Sequence, residues 1–442
     1  MKYILEKPDL SSISQKRKEF IHENIIDIFF ENKLYKFSGK KYLYWDKIKF
    51  QEIPDVLESH EELWYVIKNM RNFWMPTIIK DELWKMFTLW KPDYIEELLH
   101  TLDLKLGWSF LNIELSDSER RVFLQNGIAE EAISSSQIEW ALTSSKVAKE
   151  MIAKWRKPNT KDEKMIINNY QAMQFVKDEM KDTQLDLPWL IELQAILTKW
   201  TLDESDQVGR LRNDADEIVV QNSSGTKILH EPMLENKMKK ELKELIRFAN
   251  DEDKLWFIHP FVKAVMLHFW IGYLHPFCDG NGRTARAIFY WYLIKKWYWG
   301  FSFIPVSKAI NNSRKQYWNA YLYTEQDNND MTYFLVYIAN KVIQSMDEFH
   351  EYVRIKIEKQ KNVNRELAHL WLNDRQKKLI AYFLERPKSY TNITIHKNYN
   401  SIANDTAKRD LKDLENKWFL TIQKQWTYVN YFPVEDLTER TK

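Results

Sequence analysis

Two long apolar segments, separated by a short polar turn, constrain the fold of this chain more than any other feature of its sequence. Residues 261–274 are apolar with few interruptions, and residues 285–295 are apolar and aromatic and contain neither proline nor glycine. Runs of this length and composition predict two buried helices. The sequence therefore predicts a helical pair at the centre of the protein, joined by a tight polar turn.

The turn contains an imidazole, a carboxylate, an amide, two glycines and two guanidiniums. It begins at His275, ends at Arg286 and reads His-Pro-Phe-Cys-Asp-Gly-Asn-Gly-Arg-Thr-Ala-Arg. Glycines lack the Cβ atom that would keep a ligand away from the backbone. The peptide N–H groups of residues 280–282, at the start of a helix, then form a cradle for an anion. Arg283 and Arg286 are three residues apart, so both can point back toward that cradle.

Two further groups in the turn suit the chemistry of phosphates. Asp279 is a hard oxygen ligand next to the cradle, well placed for Mg²⁺ that bridges phosphates. His275 lies four residues earlier, where a neutral imidazole could take a proton from a hydroxyl. The simpler interpretation, a plain turn capped by His-Pro, accounts for the glycines alone but not for the whole set of groups. The turn is not a Walker phosphate loop, because neither Lys-Ser nor Lys-Thr follows the last glycine.

The signature His-Pro-Phe-x-Asp-Gly-Asn-Gly-Arg-x-x-Arg resembles, without departure, that of the Fic (Fido) family. Most members are enzymes that transfer AMP from ATP to a protein hydroxyl. The resemblance implies that His275 deprotonates a Ser, Thr or Tyr hydroxyl of a target protein or of the chain itself, and that Asp279 binds Mg²⁺. It implies phosphate contacts for five residues, namely Gly280, Asn281, Gly282, Arg283 and Arg286.

A second resemblance concerns Ser135-x-x-x-Glu139, on a predicted helix. A glutamate on a helix is usually only solvated, but this pattern is similar to the inhibitory helix of the Fic family. There, the glutamate pairs with the second arginine of the signature. The resemblance implies a bidentate pair between Glu139 and Arg286 that occupies the space of the ATP γ-phosphate. The family usually has Gly or Asn at the next position, where this chain has Trp140.

Residues 216–230 predict a β-hairpin, because β-branched arms flank a glycine-containing turn. It could be a surface hairpin without a role in the site. In the Fic family, however, a hairpin at this place forms a flap that holds the backbone of the target by strand addition. The resemblance implies a target-docking flap formed by Ile218, Val219, Val220, Ile228 and Leu229.

Composition excludes several classes of protein. The single cysteine, Cys278, cannot form an internal disulfide, which predicts a reducing, cytoplasmic environment. Cys278 itself is interpreted as a small packing residue and not as a nucleophile. Glu6 and Asp9 precede any apolar run, so no signal peptide is expected. No apolar stretch is long enough to cross a membrane, and the net charge of +2 gives no overall indication of nucleic acid.

Glycine and tryptophan occur in unusual proportions, with 9 glycines and 19 tryptophans. Trp200, Trp297 and Trp418 follow predicted helices, where a glycine normally ends the helix. One hypothesis is that the source organism reads the codon UGA as glycine and that this sequence was translated with UGA as tryptophan. The alternative is a protein that is truly rich in tryptophan. Trp270 and Trp291 lie inside apolar runs and are interpreted as core residues under both hypotheses.

The C-terminal region predicts a different type of module. Helices over 375–384 and 402–414, followed by strands over 419–424 and 427–431, resemble a winged helix-turn-helix of the kind often attached to Fic proteins. Residues 361–442 contain 15 Lys and Arg against 10 Asp and Glu. A basic second helix suits duplex DNA. A module that binds protein or forms a homodimer is the alternative.

The resulting prediction is a mainly α protein: a Fic-type helical core with a small β-hairpin flap, plus a C-terminal winged helix-turn-helix. Its predicted divisions are a helical N-terminal region (1–115), a Fic core with the inhibitory helix (116–350), a helical connector (351–374) and the winged helix (375–442). The leading function is Mg²⁺-dependent transfer of AMP from ATP to a protein substrate, restrained by Glu139. Rivals are removal of AMP from a modified protein, a different nucleotide donor, or a nucleotide-sensing DNA-binding regulator.

Overall fold

The computed structural model describes residues 2–71, 75–106, 117–154, 156–179, 182–222, 224–252, 256–400, 402–425 and 428–441. The chain forms two compact units. Unit 1 comprises Met1–Asn112 with Gly127–Ser345, and unit 2 comprises Ile113–Asn126 with Met346–Lys442. The sequence analysis separated an N-terminal region from the core, whereas unit 1 contains both. The predicted boundary between residues 115 and 116 lies outside the described residues, as do Ser223 of the predicted hairpin and residue 427 of the last predicted strand.

The protein is mainly helical, as predicted. In chain order the helices are α1 (Gln15–Glu31), α2 (Trp45–Ile48), α3 (His60–Met70), α4 (Asp93–Leu106), α5 (Asp117–Ile138), α6 (Ser145–Lys154), α7 (Lys161–Asp178), α8 (Leu187–Thr198), α9 (Glu235–Ala249), α10 (Pro260–Leu274), α11 (Asn281–Lys295), α12 (Val306–Asn311), α13 (Arg314–Gln326), α14 (Thr332–Glu366), α15 (Asp374–Glu385), α16 (Ile393–Asn400), α17 (Asn404–Asn416) and α18 (Leu437–Arg440). Across the described ranges, every helix falls short of the length and apolar character needed to span a bilayer.

The strands form three antiparallel pairs. They are β1 (Met75–Lys80) with β2 (Met86–Leu89), β3 (Val220–Gln221) with β4 (Ile228–His230), and β5 (Leu420–Gln425) with β6 (Tyr428–Pro433). The first pair was not predicted, because the sequence analysis found only short helical patterns there. Its register pairs Met75 with Leu89 and Lys80 with Met86. Phe87 is fully buried in unit 1, with its ring centroid 5.2 Å from that of Phe269 on α10.

The predicted central pair of helices is α10 and α11. Pro260 occupies the first position of α10, where its missing N–H costs nothing, and His259 Nδ1 accepts a hydrogen bond from the N–H of Phe261 at 3.1 Å. Trp270 and Trp291 are completely buried on these helices. α11 begins at Asn281, four residues before the apolar run. The first turn of α11 is polar because it belongs to the site, so apolar pattern alone could not reveal it.

The flap hairpin is shorter than predicted. Asp214–Asp216 forms a 3₁₀ turn closed by a capping box from Asn213, so the first arm does not begin until Val220–Gln221. The opposite arm, Ile228–His230, is paired on both edges. The carbonyl of Ile228 accepts a hydrogen bond from the N–H of Tyr3 at 2.7 Å.

The C-terminal part of unit 2 contains three helices, α15 to α17, before its hairpin, whereas only two were predicted. The additional helix is α16, Ile393–Asn400, in a segment that had been interpreted as a polar stretch. α16 is short and buries only two of its polar side chains, His396 and Asn400, so it lacks the apolar stripe that identifies a helix. α14 extends to Glu366 and includes much of the predicted connector.

Candidate nucleotide-binding site

His275 ends α10 in a left-handed conformation, with φ 48° and ψ 57°. Its Nδ1 lies 3.2 Å from the carbonyl oxygen of Gly272. Because a carbonyl can only accept, Nδ1 carries the proton and Nε2 keeps its lone pair. Burial, together with the nearby His230, lowers the pKa of His275 to about 4. The imidazole is therefore neutral at pH 7 and is suited to accept a proton.

The side chain of Asn281 holds the turn in shape. Its Oδ1 accepts from the N–H of Phe277 at 2.9 Å, and its Nδ2 donates to the carbonyl of the same residue at 2.7 Å. Gly280 has φ 83°, in the left-handed region that favours glycine. Asn281 is buried, so its side chain braces the loop and its backbone contributes to the start of α11. The first N–H groups of a helix have no intrahelical acceptor and are free for an anion.

Gly282 leaves the space that an anion would need. A Cβ atom on Gly282 would lie inside contact distance of Oε1 of Glu139 and 3.2 Å from Nη1 of Arg286. A carboxylate oxygen therefore already occupies the space directly over this glycine. This space lies at the start of α11, where the sequence predicts a cradle for an anion.

Arg286 is almost completely buried and is held mainly by Ser135. Its Nε donates to Ser135 Oγ at 2.8 Å, and its Nη2 donates to Ser135 O and to Glu139 Oε1, each at 2.9 Å. The predicted contact between Glu139 and Arg286 is thus present. It is a single hydrogen bond and not the bidentate pair that was expected: Nε donates to Ser135, and Nη2 is shared between Ser135 and Glu139. Nη1 of Arg286 is buried without a hydrogen-bond partner among the described residues.

Arg283, the first of the two predicted arginines, is bound by two other parts of the site. Arg283 is buried, and its Nη1 donates to the carbonyl of Leu197 at 2.7 Å. Its Nη2 lies 3.2 Å from Oδ2 of Asp279. The guanidinium therefore links α11 to the end of α8 and orients the carboxylate beside the cradle.

Asp279 is the carboxylate available for a metal ion. Its side chain is 52% exposed, and its Oδ1 accepts from the N–H of Gly280 at 2.6 Å. Within the described ranges, no group of three or more His, Cys, Asp and Glu residues could hold a metal. A cation at Asp279 would thus take most of its ligands from phosphates and water, which is the habit of Mg²⁺ and not of Zn²⁺.

These groups open on a cavity of about 470 Å³ within unit 1, a size typical of small-molecule sites. The residues singled out from the sequence that line the cavity are Glu139, Ile218, Val219, Val220, Leu229, His275, Cys278, Asp279, Gly282 and Tyr317. Ile228 of the predicted flap is not among the lining residues. Those that the sequence analysis missed include Gly272, His230, Trp318, Tyr321, Leu322 and Glu325.

Cys278 lines the same cavity but is poorly suited to act as a nucleophile. Burial, together with the carboxylate of Asp216, raises the pKa of its thiol to about 11. The thiol is therefore protonated at neutral pH. This agrees with the interpretation of Cys278 as a packing residue.

The most informative residues that the sequence analysis missed are His230, at the end of β4, and Glu325, near the end of α13. Nδ1 of His230 lies 2.8 Å from Oε2 of Glu325. A single histidine on a strand and a single glutamate 95 positions away form no motif, so no sequence signal could have joined them. His268 on α10 is buried, and its Nε2 lies 2.8 Å from the hydroxyl of Tyr317.

Comparison with known proteins agrees with this geometry. Residues 184–293 match the model of the Fic/DOC family. This part of the chain is similar to a Fic domain. The matched segment runs from just before α8 into α11 and so includes the flap and the turn that holds His275 and Arg286.

The Fic domain has relatives among curated proteins and solved structures. Protein adenylyltransferase fic-1 of Caenorhabditis elegans is 44% identical over 48 residues, which are 11% of this chain and 9% of that protein. The chain thus aligns with less than a tenth of that relative. A Fic family protein from Desulfovibrio desulfuricans G20 has a TM-score of 0.48 at 16% identity, covering 76% of this chain and 96% of its own. Residues 134–508 of Fic-1 from C. elegans give 0.45 at 18% identity, covering 58% and 71%.

Proposed function

We propose that this chain transfers AMP from ATP, with Mg²⁺, to a Ser, Thr or Tyr hydroxyl of a target protein or of the chain itself, and that Glu139 restrains the reaction. The Fic domain and the adenylyltransferase among its relatives support the reaction class. One observation carries the proposal: the free Nε2 of a neutral His275 lines the same cavity as the cradle at Gly282, where a carboxylate sits.

The reaction balances with the groups in this cavity. The hydroxyl oxygen of the target forms a bond to the α-phosphorus of ATP, and the bond from that phosphorus to the bridging oxygen of the β-phosphate breaks. Nε2 of His275 takes the hydroxyl proton, pyrophosphate leaves, and AMP stays on the target oxygen. A positioned base contributes typically 10²–10⁴-fold to such a step.

Charge neutralisation supplies much of the remaining catalysis. The N–H groups at the start of α11 and the buried, unpartnered Nη1 of Arg286 are donors for phosphate oxygens. Asp279 would hold Mg²⁺ together with the phosphates, and the ion would neutralise phosphate charge when bound. Since Arg283 hydrogen-bonds Asp279, it keeps this carboxylate directed toward the cradle.

Glu139 would restrain the reaction because it competes with a phosphate for the space over Gly282 and for a donor of Arg286. Its carboxylate takes Nη2 of Arg286 and lies against Gly282, where a phosphate oxygen would bind. Two negative groups cannot share this pocket without strong repulsion. Removal of Glu139 should therefore admit ATP in its reactive position.

The flap would align the target. β4 is bonded to β3 on one edge and to Tyr3 on the other. A target segment that adds a strand would therefore pair with the edge of β3. Ile218 and Val219 line the cavity just before that edge, so a docked segment would lie next to His275.

The test uses ATP labelled at the α-phosphate and lysate as the source of targets. The Glu139→Gly variant should label protein more strongly than the parent chain, and Glu139→Gly with His275→Ala should not label it. Transfer from γ-labelled ATP or from labelled UTP, without transfer from α-labelled ATP, would replace AMP with another donor group. Release of AMP from a pre-labelled protein, dependent on Glu139, would support the reverse reaction. Labelling that survives His275→Ala would refute His275 as the base.

A further inference from the structure

Among the residues that the structure describes, six tryptophans adopt the left-handed backbone conformation. Their φ values lie between 51° and 70°. All six side chains are exposed, by 46% to 90%. The six are Trp84, Trp140, Trp200, Trp297, Trp371 and Trp418.

This conformation is unfavourable for tryptophan. A positive φ brings Cβ close to the backbone, and a bulky residue there is an outlier, whereas glycine meets no such cost. Among the described residues, thirteen residues other than glycine have positive φ, and six of them are tryptophan. Asparagine and aspartate, which tolerate the conformation best, account for only three: Asp251, Asn328 and Asn329.

Three of the six occupy the position after a helix that glycine normally fills. After α5, the N–H of Trp140 donates to the carbonyl of Gln137 and the N–H of Ala141 to that of Ser136. This pair of hydrogen bonds defines a Schellman motif, whose left-handed residue is usually glycine. The same two bonds recur at Trp297 after α11 and at Trp418 after α17.

Two more of these tryptophans, Trp200 and Trp84, occupy turn positions that also require positive φ. Lys199 has φ −53° and ψ 119°, Trp200 has φ 57°, and the N–H of Thr201 donates to the carbonyl of Thr198 at 3.0 Å. This is a type II turn, with glycine expected at the site of Trp200.

Trp84 is the last of the three residues between Asp81 and Lys85 in the loop that joins β1 to β2, and the N–H of Asp81 donates to the carbonyl of Lys85 at 2.9 Å. A left-handed glycine is preferred there. The sixth residue, Trp371, follows a 3₁₀ turn with φ 51° and ψ 43°.

Other tryptophans of the same chain behave as tryptophans should. Five lie inside helices, are buried to 4% exposure or less, and pack against other rings: Trp45, Trp64, Trp189, Trp270 and Trp291. The ring centroids of Trp189 and Trp291, for example, are 5.6 Å apart. These five therefore differ from the six left-handed tryptophans in both backbone conformation and burial.

We infer that the six left-handed tryptophans are glycines in the protein as its own organism makes it, because that organism reads the codon UGA as glycine. A systematic exchange of one amino acid for one other points to a single codon. The exchange would also place glycine above tryptophan in a chain that has 9 of the former and 19 of the latter. The five buried tryptophans would be encoded by UGG, the ordinary tryptophan codon.

Glycine in place of Trp140 would change the candidate site. This effect on the site is the one part of the inference that rests on the proposed function. Trp140 follows Glu139, lines the cavity, and its ring lies 5.1 Å from the guanidinium carbon of Arg314. With glycine at this position, the ring would be absent and the cavity would widen beside Glu139. A nucleotide would then meet less of an obstacle at that end.

The decisive test is the gene itself. We expect UGA at codons 84, 140, 200, 297, 371 and 418, and UGG at codons 45, 64, 189, 270 and 291. UGG at the six left-handed positions would overturn the inference. Peptides of the protein purified from its own organism give a second test by mass spectrometry. They should carry glycine at positions 140, 200 and 297 and tryptophan at positions 270 and 291.

A stability experiment tests whether tryptophan is unfavourable at the six left-handed positions, without any measurement of activity. The chain with tryptophan at all six left-handed positions is compared with a variant in which the six are replaced by glycine, and with the single variant Trp270→Gly. The six-fold variant should have a higher Tm than the parent chain, whereas Trp270→Gly should have a lower one. A six-fold variant that melts below the parent chain would show that these side chains contribute to the fold and would contradict the inference.

Discussion

His230 and Glu325 form a buried pair at the wall of the cavity, with Nδ1 of the histidine 2.8 Å from Oε2 of the glutamate. Nε2 of the same ring lies 2.7 Å from the carbonyl oxygen of Tyr273. Both partners are acceptors, so only a protonated imidazole can satisfy both. Burial alone would lower the pKa of His230, and Lys2 also lowers it, but Glu325 and the carbonyl outweigh them and raise the pKa.

The first prediction is a pH dependence of flap anchoring. The pKa of His230 is raised in the folded protein. Its contribution to the stability of the folded state is therefore complete below the unfolded pKa of about 6.5 and is lost as the pH rises through the folded pKa. Loss of the proton breaks one of the two hydrogen bonds that tie β4 to α10 and α13. In Glu139→Gly protein, we expect the KM for the target to rise with pH over this window, with kcat changing less.

Variants of the pair check the cause of that dependence. His230→Gln has its donors on a single nitrogen and cannot bridge the two acceptors as the imidazolium does, so it should raise the KM for the target at neutral pH and remove its pH dependence. Glu325→Gln should move the dependence to lower pH, because the imidazolium loses its counter-charge. His275, whose pKa is about 4, accounts only for a loss of activity in acid. An unchanged KM profile in both variants would exclude His230 as the anchoring group.

The second prediction concerns Gly282→Ala. The new Cβ would meet the carboxylate of Glu139 and lie 3.2 Å from Nη1 of Arg286, so it would fill the space for a phosphate oxygen. We expect ATP binding to weaken at least tenfold, about 1.4 kcal/mol, and deletion of the Glu139 carboxylate not to restore it. Calorimetric titration of Glu139→Gly protein with and without Gly282→Ala measures this.

Gly39→Ala serves as the matched control for that experiment. A Cβ at position 39 would have only an ordinary contact, 3.6 Å from the carbonyl oxygen of Tyr35. Its effect on ATP binding should be negligible. Equal weakening by both glycine variants would point to general destabilisation and not to a phosphate cradle.

The third prediction separates the charge of Glu139 from its shape. Glu139→Gln keeps the size of the side chain but loses the charge that holds Arg286. A hydrogen bond between charged groups contributes about 1.5–3 kcal/mol, so transfer from α-labelled ATP should rise by about tenfold to a hundredfold. Glu130→Gln is the control, because Glu130 lies on α5, which Glu139 directly follows, and pairs with Lys149. A similar rise in both variants would mean that helix stability, and not the contact with Arg286, limits the reaction.

The sequence identified the chemistry of the site better than its geometry. The turn from His275 to Arg286 was predictable because its groups are adjacent in the chain. Two contacts were not predictable, because they depend on tertiary packing. One is the hydrogen bond of Arg283 to Leu197, 86 residues away, and the other is that of Arg286 to Ser135, which leaves Glu139 a single contact. The β1–β2 hairpin was missed since its short strands carry no long alternating pattern, and α16 was missed since it buries few apolar groups.

The tryptophans illustrate the opposite case, where local pattern was sufficient. Trp200, Trp297 and Trp418 were recognised as helix stops from the lysine or asparagine-lysine that precedes them, and all three have positive φ. Trp84 and Trp371 were not recognised. The first lies in an unpredicted hairpin and the second after a 3₁₀ turn, and neither element has a helical pattern that a stop signal could end.

The fourth prediction concerns the binding of duplex DNA by the C-terminal region, which is a hypothesis from the sequence. α17 exposes Lys408, Arg409 and Lys412, while Ala407, Leu411 and Leu414 on its other side are buried. If the exposed side contacts phosphates, the full-length double variant Lys408→Ala, Arg409→Ala should bind DNA more weakly. The slope of log affinity against log salt should fall by about 2, close to 0.9 for each phosphate that the variant no longer neutralises.

A charge-matched control decides whether that weakening is local. Lys146 on α6 and Lys243 on α9 are exposed and belong to unit 1, so the double alanine variant at these positions changes the net charge equally. Because counterion release depends on cations that touch the DNA and not on total charge, the control should keep the parental slope. Equal slopes in all three proteins would place the DNA-binding surface elsewhere. Absence of salt-dependent binding by the parent chain would favour a protein partner or a second copy of the chain for this module.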